Sequence, residues 1–98
     1  MFNLNLLSTT ITNTLYEIPQ FYNVLINCPR SCNENVMKHT FKRLIDFVRE
    51  DYLTQTNIYL SPKIISKEAK HIIKIQRIIK IYKDIEFKVI RKRPRLEM

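Results

Sequence analysis

The sequence predicts an α+β domain with a strand, loop, strand, helix, strand core, the second half of a ferredoxin-like β-α-β-β-α-β sandwich. Three observations predict it. Short apolar alternations lie at Phe21–Ile26 and Lys42–Val48, separated by a turn-rich cluster. A long stripe at helical spacing follows, Ile65, Ala69, Ile72, Ile75, Ile79 and Tyr82. Beyond it Ile85, Phe87 and Val89 alternate with Glu86 and Lys88, the pattern of a closing strand.

Taken in order, Phe2, Leu4 and Leu6 alternate with Asn3 and Asn5, a weak strand signal that Ser8-Thr9-Thr10 and Thr12-Asn13-Thr14 interrupt. Leu15–Ile18 forms a second short extended piece, stopped before Pro19 because the residue preceding a proline is pushed towards extended backbone. Phe21–Ile26 is the better strand. Asn27, Pro29, Ser31, Asn33 and Asn35 make residues 27–35 a loop with Arg30 at its tip. Lys42–Val48 returns as a strand, with Leu44 and Asp46 facing one side and Ile45 and Phe47 the other. Residues 49–60 read as a polar connector. Ser61-Pro62 is a helix start, serine at the cap and proline in the first turn. The Lys83-Asp84 turn ends that helix, and residues 91–98 are a basic tail. One domain over residues 1–98 is expected, with residues 1–20 a remodelled N-terminal piece.

A chain of 98 residues, 45% hydrophobic, builds one small core. No apolar run reaches the roughly 18–20 residues that span a bilayer. The first basic residue is Arg30, so neither a secretory signal nor a mitochondrial presequence is expected. Glycine and tryptophan are absent and Ala69 is the only alanine, while Ile, Lys and Asn abound. That bias follows AT-rich codons and points to an organelle, virus or plasmid genome.

The formal charge is +8, and it is one-sided. Residues 1–51 carry five basic and five acidic side chains; residues 52–98 carry twelve and four. Such an excess calls for a polyanionic partner, nucleic acid or an anionic membrane surface. Cys28 and Cys32 with His39 offer three zinc ligands where a structural site wants four, so reduced thiols are the expectation and a zinc site shared with a neighbouring chain the alternative. Glu50-Asp51 has no histidine, glycine loop or nucleophile beside it in the sequence, and no catalytic site and no cofactor are expected.

The residues FxxVLIxxPRSxN over 21–33 and TFKRLID over Thr40–Asp46 resemble, in order and chemistry, the centre of the small-subunit ribosomal protein ten family. There a strand end reading VL(I/R)SPH leads through a basic loop into THKRLID. Thr40, Lys42, Arg43, Leu44, Ile45 and Asp46 match position for position, and Phe41 replaces the histidine. The resemblance implies the ferredoxin-like fold and a place in the head of a small ribosomal subunit, here that of a mitochondrial ribosome encoded by the organelle. It implies contact with ribosomal RNA and neighbouring head proteins, and no membrane. Only twenty residues precede Phe21, so the family's first β-α unit is missing or remodelled, and another chain is expected to complete the sheet.

The expected RNA contacts are Arg30, Asn33, Lys38, Lys42 and Arg43 on the loop and strand. Lys63, Lys67, Lys70, Lys74 and Arg77 follow on one helix face, and Arg91, Lys92, Arg93 and Arg95 in the tail. Each has a plainer reading as solvated charge, and the aromatics Phe21, Tyr22, Phe41, Phe47 and Phe87 are more commonly core than base-stacking platforms. Two rival readings are a nucleic-acid-binding protein of an AT-rich virus or plasmid, and a peripheral membrane protein using helix 61–82.

Overall fold

Asparagine side chains open two helices, and their placement decides the architecture. The computed structural model describes residues 2–27 and 33–96, with side chains through residue 85. Asn3 Oδ1 accepts from the Leu6 amide at 3.0 Å and starts α1, Leu4–Glu17. A single turn, α2 (Pro19–Phe21), runs into a π-helical turn, Tyr22–Asn27. Asn33 Oδ1 accepts from the Val36 amide at 2.8 Å and starts α3, Glu34–Thr56. The last helix, α4, runs Pro62–Leu96.

The described residues contain no strand, and the α+β expectation is overturned. The Phe2–Leu6, Leu15–Ile18, Phe21–Ile26, Lys42–Val48 and Ile85–Val89 segments expected to be extended are all mostly helical, as is most of the 49–60 connector. With no sheet among the described residues, there is no sheet edge for another chain to complete.

The physical reason lies in the spacing over longer windows. In α3 the buried residues are Thr40, Leu44, Ile45, Val48 and Tyr52, steps of four, one, three and four that line one helical face. Over the seven residues Lys42–Val48 alone, the same apolar positions pass for alternation. In α1 the threonines and not the leucines mislead. The hydroxyls of Thr9, Thr10, Thr12 and Thr14 each donate to the carbonyl four residues back, at 2.8 to 2.9 Å. With its hydroxyl satisfied inside the helix, a threonine can bury its methyl, and Thr10 and Thr14 join Leu7, Ile11 and Leu15 in the core. A run that looks like a break is a helical face.

Pro19 ends α1 as expected of a proline: Ile18 before it is extended, with φ −111°. Asn57 ends α3 in the left-handed region, φ 60°, its amide donating to the Leu53 carbonyl at 2.7 Å. It alone among the described residues has positive φ. Thr56 Oγ1 then accepts from Ile58 N at 3.1 Å and shapes the connector. Arg49 fastens that connector to α3: Nη1 donates to the Tyr59 hydroxyl at 3.3 Å, with the guanidinium carbon 5.5 Å from the ring centroid.

Helices α1, α3 and α4 pack around a common core, with the π-helical turn against α3 and α4. Ser8 Oγ donates to Glu68 Oε1 at 3.0 Å and Tyr16 Oη to Gln76 Oε1, two ties that run α1 and α4 parallel. The Tyr52 hydroxyl, on a wholly buried side chain, accepts from Asn3 N at 3.0 Å and joins the end of α3 to the start of α1. Phe21 fills the space under α3 and meets Phe47 edge-on, centroids 5.5 Å apart.

Helix α4 begins as its sequence dictates, Ser61 Oγ accepting from Lys63 N at 3.2 Å with Pro62 in the first turn. Ile65, Ala69 and Ile72 are buried as the stripe predicts, joined by Ile73. The rest of the stripe is not: Ile75 and Ile79 are exposed, and Tyr82 is 69% exposed. Nor does the helix end at Lys83-Asp84. Lys80 Nζ donates to Asp84 Oδ2 at 3.0 Å, a four-residue pair that favours continuation. At 35 residues α4 is about 52 Å long at 1.5 Å per residue, and it accounts for most of the 60 Å long axis.

Candidate nucleic-acid interface

Lysines repeated at steps of four, three and four on an α-helix come to lie on one face. Lys63, Lys67, Lys70 and Lys74 do so on α4, and all four are exposed. No carboxylate among the described side chains pairs with any of them. The acidic residue interleaved in the row, Glu68, turns to the α1 side and accepts from Ser8. Arg77 closes the row. Its Nε donates to the Leu25 carbonyl at 2.7 Å, which fixes the guanidinium and satisfies a carbonyl of the π-helical turn.

Beside this row a groove of about 610 Å³ opens between α4, the first two turns of α3 and the π-helical turn. Its apolar surfaces are Leu25, Met37, Phe41, Ile73 and Ile78. Its rim carries Lys70, Lys74 and Arg77 from α4 and Lys38 and Glu34 from α3. Lys38 Nζ and Glu34 Oε1 are 3.2 Å apart and both well exposed, so their attraction is screened by water and contributes little to the fold.

The structure therefore brings Lys38, Lys70, Lys74 and Arg77 together, with Lys63 and Lys67 continuing the row. Lys42 and Arg43 are exposed on α3 but do not line the groove. They stand on a helix, not on the strand expected of them. Asn33 uses its side-chain oxygen as the cap of α3. Arg30 lies outside the described residues, as do the side chains of Arg91, Lys92, Arg93 and Arg95. The groove residues Glu34 and Met37 went unnoticed in the sequence, and Phe41, weighed there as core or base-stacking aromatic, was not placed beside them. They recur at three and four, together with Lys38, a signal available only once residues 34–41 are read as a helix.

Other chemistry has little to build on. Among the described residues no three His, Cys, Asp or Glu side chains gather at metal distance, and Cys28 and Cys32 lie outside them. Glu50 faces Arg49 at 3.9 Å, and Asp51 accepts from Gln55 at 3.3 Å. Among the described residues no helix is long and apolar enough to cross a membrane. No protein-family model, curated protein or solved structure matches the chain.

Proposed function

We propose that this chain is a non-enzymatic RNA-binding protein that works as a structural part of a ribonucleoprotein particle. The particle to which the resemblance at Thr40–Asp46 points is the small subunit of a mitochondrial ribosome. The fold that this resemblance implies is overturned, so the reading rests on the cations. The observation that carries it is the row Lys63, Lys67, Lys70, Lys74 and Arg77. It spans 15 residues, or about 21 Å of helix, and its members step by about one helical turn, 5.4 Å. That repeat is close to the spacing of phosphates along a nucleic-acid strand. Side chains of this kind fix position and orientation on a sugar-phosphate backbone without reading its sequence.

Salt dependence tests the reading. Five phosphate contacts give a slope of log K against log salt of about −3.5 to −4.5, the range from single strands to duplex. Changing Lys67, Lys70 and Lys74 together to glutamine should flatten that slope by about 2 to 3. Fluorescence anisotropy of a labelled RNA with the full chain supplies the measurement. A slope near zero, or one unmoved by the triple substitution, would overturn the proposal. Co-sedimentation of the chain with purified small subunits tests the choice of particle, and its absence from that fraction at low salt would remove it.

A further inference from the structure

The cation row and the apolar groove share Lys70, Lys74 and Arg77. A strand whose phosphates follow the row therefore carries its bases past the groove mouth. We propose that the groove is a nucleobase pocket, and that the chain prefers single-stranded RNA whose bases can leave their stack. This rests on the RNA reading above and deepens it.

Four features of the groove fit a base. Phe41 is half-buried, packed against the core and lining the groove. An aromatic ring so placed stacks any base, because every base has a π-face. Ile73 and Leu25 offer apolar walls beside it. On the rim opposite the row, the exposed pair Glu34 and Lys38 sets an acceptor and a donor side by side, 3.2 Å apart. Base edges present donors and acceptors in the same kind of adjacency. The volume, about 610 Å³, holds one or two heterocycles and part of their sugars.

The charge pattern selects this occupant over others. An acidic amphipathic helix of another protein would meet the Glu34 carboxylate on the groove's far rim, and a fatty carboxylate would meet it too. A base can donate an amino hydrogen to it. A second copy of this chain would set its own lysine row against this one. The row also runs on to Lys63 and Lys67, past the groove's end, as a polymer of phosphates requires and a single carboxylate does not.

The test compares two labelled decamers with the full chain at one salt concentration: decauridylate, and a ribose-phosphate decamer of equal charge with no bases. Decauridylate should bind about tenfold more tightly, within the range that stacking a base on an aromatic ring provides. Phe41→Leu keeps an apolar side chain at the core boundary. It should lower decauridylate binding to the level of the abasic decamer and leave abasic binding unchanged, with circular dichroism confirming the helices. Should that variant unfold, the Ile73 methyl resonance of the unaltered chain decides. It should shift on adding decauridylate and stay put with the abasic decamer. Equal affinity for the two decamers, with the steep salt slope intact, would overturn the pocket alone. Displacement of neither decamer's signal but occupation of the groove by an acidic amphipathic peptide would do the same. Failure of both decamers to bind would overturn the pocket and the RNA reading together.

Discussion

Replacing Leu44 with alanine, and separately Ile45 with alanine, should each destabilise the protein severely. Both side chains are in the core, at 0% and 6% exposure, whereas Phe47 three residues on is 46% exposed. On a helix, 44, 45 and 48 share a face; on a strand, 44 and 45 point to opposite sides. Deleting a buried Leu or Ile side chain costs about 2–5 kcal/mol, the transfer of the lost methyl groups plus the cavity left behind. A domain of this size has roughly 5–15 kcal/mol in all. Each variant would then lose a large part of its stability, and about 3 kcal/mol would lower the melting temperature by about 12–24 °C. Urea denaturation followed by far-ultraviolet circular dichroism gives the numbers, with the slope m checked for constancy so that the midpoint shift reads as stability. If either substitution costs less than about 0.5 kcal/mol, the range of ordinary surface substitutions, the helical register of α3 is wrong. The core built on that register would then be wrong too.

Asn57 holds a left-handed backbone, so Asn57→Ala should lose about 1 kcal/mol and Asn57→Gly should be neutral or mildly stabilising; equal melting of the two variants would contradict the cap. The Tyr52 hydroxyl accepts from the Asn3 amide inside an otherwise apolar contact. Tyr52→Phe should therefore cost about 1 kcal/mol, the net value of one such bond, in the same denaturation assay. A loss several times larger would mean that the hydroxyl does more than join the two helix ends.

How far the fold was legible depends on the segment. The start of α4 could be read outright, because Ser61-Pro62 is a two-residue signal whose physics is local. The core side of α4 was legible as far as Ile72, and the sequence continued the stripe where no neighbouring element continued to cover it. Nothing in Ile75, Ile79 or Tyr82 themselves records that their side faces water. In α1 the obstacle was chemical: threonine counts as polar in a periodicity, yet Thr10 and Thr14 are core residues once their hydroxyls bond backward. In α3 it was the window. Over Lys42–Val48, Leu44 pairs with Asp46 and Ile45 with Phe47 well enough to pass for alternation, and only the addition of Thr40 and Tyr52 outside that window separates a period of 3.6 from one of 2. The similarity of Thr40–Asp46 to a strand of a known family reinforced the shorter period. Lys63, Lys67, Lys70 and Lys74 do lie exposed on one face of α4, because charge segregation survives an error in the elements around it. The groove did not, since it exists only where α3 and α4 meet.

Asn57 is the single described residue that needs a left-handed backbone, in a chain that contains no glycine. Everywhere else among the described residues φ is negative, where L-amino acids are sterically at ease. Substitution at most positions is thus filtered by what a side chain packs against or repels, and hardly by whether the main chain can turn. A mutational scan should map as stripes along three helices with one isolated point at residue 57. Tolerance to substitution in this bundle is therefore set by periodicity and charge placement more than by residue identity.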